Sequence, residues 1–376
     1  MEKAYTESVW NLPDDFLSHE NFLISVRRLD FRSSPGIPYC REYTTNGEWL
    51  KWDGLRADPI QLQRLWYDVN DVFKGVYDIK YRVFLKMEPH KIKKCLDKRW
   101  RLIVAAPLCV QVAWHMLFDY QNDLQIQIAI RLPSQQGITL YGGDWKRYYA
   151  SWIQSGLTCS LDKSAWDWTA PHWALNLDLE FRYRLSRGRL KQQWREIAQR
   201  LYDDMFVSPT LVTTDGYIFQ QMYPGIMKSG CVNTISTNSH CQVFLHLLVA
   251  DVLGIPDYPN PACLGDDTLN SLYHVTPECV EVYKTYGIQI KTVNEMMEFA
   301  GHVFKETGPV PAYRMKHMMK FSHQPDDLLE EYLNTMCRLY VKDRSMYNFW
   351  SDMAMSMGYK IHLSYEANSY WFDVSE

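Results

Sequence analysis

The stretch Cys263 to Asn270 reads CLGDDTLN, two adjacent carboxylates beside a glycine, flanked by short apolar runs. Gly and Asp tolerate the backbone angles of a tight reversal. The eight residues therefore imply two short strands around a turn that presents Asp266 and Asp267 at one point. Such a turn is ordinary surface chemistry unless other reactive side chains converge on it, and the rest of the chain must supply them.

Around the turn, the pattern alternates between strand and helix. GLTCSLDKSAWDW reads as a short strand ending near Asp162, followed by a turn and a helix through PHWALNLDLEFRYRL. YPGIMKSGCVNTISTNSHCQVFLHLLVADVLG reads as a glycine-containing loop and a helix from about Gly230 to Leu253, with Ser229 as its N-cap. A further helix is predicted at 277–286, then strands near IQIK and EFAGHVF. Upstream, DPIQLQRLWYDVNDVFKG has an Asp cap, a first-turn Pro, helical apolar spacing and a terminal Gly. VYDIKYRVFLKMEPHK then alternates like a strand running into charge. Near the end, DDLLEEYLNTMCRLYVK puts Leu328, Leu329, Tyr332, Leu333, Met336 and Tyr340 on one helical face. Residues 1 to about 60 show no clear period and suggest an extended segment packed over something larger. Mixed strands and helices with a helical end imply an α+β protein.

Composition narrows the field. A chain of 376 residues with 47% hydrophobic content can bury a large core. A net charge of -4 argues against a surface that grips nucleic acid all over, although a local basic channel would be hidden in that sum. The nine cysteines are dispersed and form no C-x-x-C pair or regular framework, so neither a zinc ribbon nor a disulfide scaffold is indicated and a reducing, cytosolic setting fits best. No basic-then-apolar leader opens the sequence, and the most apolar run, VFLHLLVADVLGI, is too short to span a bilayer.

Nucleotidyl transfer with two cations needs carboxylates from separate elements around ions about 3.5 to 4 Å apart. Asp162 at a strand end and Asp266 in a hairpin turn can converge if their strands are neighbours, with Asp267 serving the second ion or its outer shell. At these residues the sequence resembles the viral RNA-dependent RNA polymerases, over roughly residues 80 to 305. DKSAWD, from Asp162 to Asp167, resembles their motif A; SGCVNTISTN, from Ser229 to Asn238, resembles motif B; and LGDD, from Leu264 to Asp267, resembles motif C. The three occur in the family's order, 67 and 37 residues apart from Asp162 to Ser229 to Asp266.

The segment KMEPHKIKKCLDKRWRLI supplies a basic cluster. Lys86, Lys91, Lys93, Lys94, Lys98, Arg99 and Arg101 stand against Glu88 and Asp97, a net of +5 with His90 left aside. It resembles motif F, which in that family roofs the nucleotide channel. Triphosphate and RNA would otherwise be repelled by three acids; Arg101 can grip phosphate with two parallel bonds, and Lys86 acts as a point charge. The resemblance implies nucleotide contacts from Lys86, Arg99, Arg101, Asp167, Ser229, Thr234 and Asn238. It implies RNA contacts from Lys91, Lys94, Gly230, Phe299 and Gly301, the last two in FAGHVF, which resembles the primer-supporting motif E. Asp167, Ser229 and Asn238 would detect the ribose 2′-hydroxyl. Lys291, in YGIQIKTVNE, is the candidate proton donor to pyrophosphate, opposed by a plain strand-end lysine.

The implied fold is a right-hand polymerase with fingers, a palm of antiparallel sheet flanked by helices, and a mainly helical thumb. The expected division is 1–157 for the N-terminal extension and fingers, 158–182 palm, 183–223 fingers insertion, 224–305 palm and 306–376 thumb. The implied activity is template-directed RNA synthesis from ribonucleoside triphosphates, with Mg²⁺ held by Asp162, Asp266 and Asp267 and Mn²⁺ able to substitute. A reverse transcriptase and a catalytically inactive RNA-binding relative are the alternatives. RWRLIVAAPLCVQVAWHMLF, DKSAWDW and FAGHVF look most like the sobemovirus and sobemo-like group of positive-strand RNA viruses. That group implies a host-cytoplasmic enzyme at membrane-associated replication complexes, with RNA template, nascent RNA and a genome-linked protein primer as partners.

Overall fold

The computed structural model of the protein describes residues 1–374. Its backbone forms two compact units that interleave along the chain: 1–128 with 165–245, and 129–164 with 246 onward. Helices and strands are mixed in both, and the α+β expectation holds.

The second unit is organised by a four-stranded antiparallel sheet in the order Ile290–Asn294, Cys159–Lys163, Asp267–Asn270, Ala262–Leu264. Along Cys159–Lys163 burial alternates as a pleated strand requires: Cys159, Leu161 and Lys163 face inward while Asp162 stays open. The outer strand Ala262–Leu264 is not left bare, since Cys263 N–H donates to Pro133 O (2.8 Å) and Cys263 O accepts from Gln135 N–H (2.7 Å). One core gathers Trp145, Trp152, Leu269, Phe299, Phe304 and Phe372, with Phe299 and Phe304 set edge-on to Trp152. Burying such side chains contributes about 1.5–3 kcal/mol each before entropy is counted. A second core around Leu333, Met336, Tyr340 and Trp350 holds the C-terminal helices, among them Leu329–Leu339 and Arg344–Ser356, as the helical period predicts.

The first unit carries a mixed four-stranded sheet, Leu102–Ala105, Lys80–Leu85, Thr210–Thr213 and Ile218–Gln220 in that order. The Pro59–Lys74 helix has its Asp58 cap and closes on Gly75 in the left-handed region (φ 75°). Residues 1–60 are not an extended segment. They form the helices His19–Arg27 and Asn46–Leu50 among other short elements and bury Tyr5, Trp10, Phe16, Phe22 and Trp49. These helices are too short for a period to stand out, so their apolar positions acquire meaning only from what they pack against. Among the described residues no helix is long and apolar enough to cross a membrane.

Candidate active site

The opening hairpin forms as its residues dictate. Leu264 pairs with Asp267 across a two-residue loop of Gly265 and Asp266, and Gly265 takes the positive φ (65°) such a loop needs. On the neighbouring strand Cys159 and Ser160 pair with Asn270 and Leu269. Carried two residues further, that register sets Asp162 across from Asp267, the juxtaposition that two separate elements had to supply.

Crowded carboxylates leave an electrostatic trace. Asp267 stays open to solvent, yet partial desolvation, followed by repulsion from Asp266, Asp162 and Glu298, raises its pKa to about 6. Beneath the sheet Lys163 is buried, with its ammonium 5.5 Å from the centre of the Tyr283 ring. Burial lowers its pKa to about 8, while Cys263 and the three aspartates act in the opposite sense. Lys163 was not expected from sequence; strand alternation from Asp162 would have indicated its inward aim.

Lys291 lies where the pairing of its strand slips: Ile290 pairs with Lys163 and Thr292 with Asp162, leaving Lys291 in a bulge. A bulge re-aims its extra side chain, and the Lys291 ammonium pairs with the Asp162 carboxylate. Among the described residues no three His, Cys, Asp or Glu side chains form a ready-made ion cage. The donor set nevertheless suits Mg²⁺ or Mn²⁺: hard carboxylate oxygens, repulsion at Asp267 that Lys163 only partly offsets, and an ammonium held at Asp162.

In the first unit, Ala165 adopts a left-handed φ (51°) and opens the short Trp166–Thr169 helix. Ser229 Oγ donates to Asp167 Oδ2 (3.1 Å), and Asn238 Nδ2 approaches Asp167 Oδ1 (3.5 Å). Asn238 Oδ1 is buried and accepts no hydrogen bond. The helix runs Thr234–Leu253, so Ser229 is not its N-cap: its hydroxyl serves Asp167 instead. Thr234 does not join this trio either, because its hydroxyl donates to Cys231 O (2.7 Å) and shapes the loop. That loop is stitched to the mixed sheet by Val104 N–H donating to Ser229 O (2.9 Å). Gly230 sits so close that a Cβ would lie 2.6 Å from Val104 O, at φ +126°. Gly230 and Val232 help line a cavity of about 520 Å³ together with Arg32, Arg82, Phe84 and His115.

Within the basic segment Glu88 links the ends, accepting from Arg101 Nη1 (3.1 Å) and facing Lys86 Nζ (3.5 Å). Burial acts to raise the Glu88 pKa, but the two cations outweigh it and leave it lowered. Lys91, Lys94, Arg99 and Arg101 are exposed. Phe299 corrects the sequence reading: it is 1% exposed inside the Trp152 core and cannot contact RNA. The apolar face of so short a hairpin points inward, whereas Gly301 (φ 71°) holds the turn.

Comparison with known proteins bears on family and fold. The family model for viral RNA-dependent RNA polymerase matches residues 16–344. Protein P2-P3 of Poinsettia latent virus is 28% identical over 84% of this chain and 30% of its own length. The replicase polyprotein P2AB of Southern bean mosaic virus is 29% identical over 73% of this chain and 30% of its own. The RNA-directed RNA polymerase of Mushroom bacilliform virus is 30% identical over 68% of this chain and 63% of its own. The chain thus spans less than a third of the first two. Among solved structures, a Sicinivirus 3Dpol RNA-dependent RNA polymerase superposes with a TM-score of 0.75 at 18% identity, covering 99% of this chain and 83% of that one.

Proposed function

The chain belongs to the viral RNA-dependent RNA polymerase family, and we propose that it extends RNA on an RNA template, joining ribonucleoside triphosphates to a 3′-hydroxyl. The observation that carries this reading is the register that brings Asp162 and the Gly265–Asp266 turn together on adjoining strands, with Asp267 titrating abnormally high beside them. Asp162, Asp266 and Asp267 hold divalent cations, Mg²⁺ with Mn²⁺ as a substitute. Bound there, such ions supply charge neutralisation at the α-phosphate and activation of the attacking hydroxyl.

The remaining roles follow from charge and reach. Lys86, Arg99 and Arg101 draw in the triphosphate, with Glu88 orienting Arg101. Lys91 and Lys94 attract the RNA backbone, and the Gly230 cavity, with Arg32 and Arg82 on its wall, takes template. Asp167, held by Ser229 and Asn238, reads the 2′-hydroxyl; the unused Asn238 Oδ1 can accept the bond that hydroxyl donates. Lys291, beside Asp162, can protonate departing pyrophosphate. The division into fingers, palm and thumb at the residue ranges given above is part of this proposal. A genome-linked protein primer and host-cytoplasmic, membrane-associated replication belong to this same reading.

Primed and unprimed extension of a defined RNA template with Mg²⁺ tests it. Ribonucleotide addition to both the expected length and the complementary sequence supports the proposal. Preferred use of deoxyribonucleotides would point to a reverse transcriptase, and template binding without extension to an inactive relative.

A further inference from the structure

The first unit buries an ion pair completely. Asp178 and Arg182, one turn apart on the His172–Leu185 helix, are both 0% exposed, and Arg182 Nε donates to Asp178 Oδ2 at 3.0 Å. Removing two charges from water is costly, and apolar side chains of similar volume often stabilise a fold as well or better. A pair kept under those conditions is informative through what it holds.

Every arm of the Arg182 guanidinium is engaged. Nη1 donates to Gln121 Oε1 (3.1 Å) and Asn122 Oδ1 (3.0 Å), and Nη2 to Ser236 Oγ (2.9 Å). Asp178 Oδ2 also accepts from Thr237 Oγ1 (2.7 Å) and Tyr202 Oη (2.6 Å), while Oδ1 meets His240 Nδ1 (2.6 Å). Burial lowers the His240 pKa despite that carboxylate, so the ring is read as neutral and donates from Nδ1. Its Nε2 lies 2.9 Å from Gln125 Oε1, and the neutral Nδ1–H tautomer requires that amide turned over so that its nitrogen faces the ring.

Three of these partners, Ser236, Thr237 and His240, lie on the Thr234–Leu253 helix. They grip it on the side turned to Asp178. Asn238, the next residue after Thr237, projects about 100° further round and faces Asp167. A side-chain end stands about 5–6 Å from the helix axis, so a 10° rotation moves it roughly 1 Å. At 3.5 Å, the Asn238 to Asp167 approach has no such margin.

We infer that Asp178 is a positioning residue for sugar discrimination: its carboxylate, through Thr237 and His240, sets the rotation of the helix that presents Asn238 to Asp167. This rests on the polymerase reading. The buried pair does not touch nucleotide; it holds the 2′-hydroxyl reader in place before nucleotide arrives, so that ribonucleotide and 2′-deoxyribonucleotide differ fully in binding.

The test uses the full chain in single-nucleotide extension, comparing kcat/KM for a ribonucleotide and its 2′-deoxy counterpart on one primer and template. Thr237→Val removes one hydroxyl at constant volume. Its ribo-to-deoxy preference should fall about tenfold while ribonucleotide kcat stays within about threefold, and Thr237→Ser should restore the preference. Asp178→Asn should shift the ratio the same way; if it fails to fold by circular dichroism, the threonine pair decides. A merely structural role would lower the active fraction and scale both substrates together. An unchanged ratio in Thr237→Val, or equal losses on both substrates, overturns the inference. Wild-type protein that adds no ribonucleotide at all overturns the polymerase reading, and with it this one.

Discussion

Lys291 occupies the bulge of the strand that pairs with Asp162, and its ammonium closes on the Asp162 carboxylate. A regular ladder would have given Lys291 a partner across the strands and aimed its side chain by simple alternation. The bulge instead delivers a cation to an acid proposed to hold a metal ion. On that proposal, ammonium and divalent ion would compete for the same oxygens.

Removing that competitor should tighten metal binding. Exposed ion pairs contribute about 0.2–1 kcal/mol, so Lys291→Met should bind Mn²⁺ up to about fivefold more tightly at low salt. Paramagnetic titration reads this without any turnover. Equal or weaker Mn²⁺ binding in the variant would show that the pair does not guard the site.

Asp266→Asn keeps the size of the side chain and the hairpin turn but deletes one charge. Loss of several kcal/mol of charge stabilisation should lower extension by about 10²- to 10⁴-fold, with RNA affinity and melting temperature near wild type. Extension at the wild-type rate would remove Asp266 from the catalytic set.

Gly230→Ala places a methyl group against the Val104 carbonyl at a backbone angle L-residues rarely adopt. The strain is of order 1–3 kcal/mol, and it falls on the loop that seats Ser229 against Asp167. Both melting temperature and ribonucleotide kcat/KM should drop. A variant as stable and active as wild type would mean that the loop is not held to the sheet as described.

Acid should loosen both units. His246 is buried with Nε2 donating to Asp257 O (2.8 Å) and its ring 4.3 Å from that of His274. Burial is the main cause, partly offset by the carbonyl, that pushes its pKa down from 6.5 to about 4. Between those values the unfolded chain binds more protons, so this stabilisation is complete above pH 6.5 and lost as pH falls towards 4. His240, lowered for the same first reason, acts in the same sense. For His246 the effect is of order a few kcal/mol. Calorimetry from pH 7.5 to 4.5 should show a falling melting temperature, with a shallower slope in His246→Gln; identical slopes would exclude His246.

Much of the site was legible because it depends on short-range chemistry. Gly265 must turn where it does, alternation puts Asp162 on the open face of its strand, and Asp58 and Gly75 bracket their helix. Ser229 was misread for an equally local reason: a Ser before an apolar run usually caps it, but here Asp167, 62 residues away in sequence, takes its hydroxyl. Phe299 was misread because a two-residue strand carries too little pattern to show which way its ring points. The Asp178 and Arg182 pair had a trace in its i, i+4 spacing, which more often marks an exposed helix face.

By itself the sequence determined the order of the acids, the turn that presents two of them, the basic segment and the family. Tertiary structure alone decided that the strand carrying Asp162 pairs with the strand that begins at Asp267, that a bulge turns Lys291 onto Asp162, and that a buried pair grips the Asn238 helix. Turns and periodicity are fixed by neighbours a few residues apart. Register, bulges and buried ion pairs arise only when distant segments exclude water together, and their geometry is a property of the packed chain.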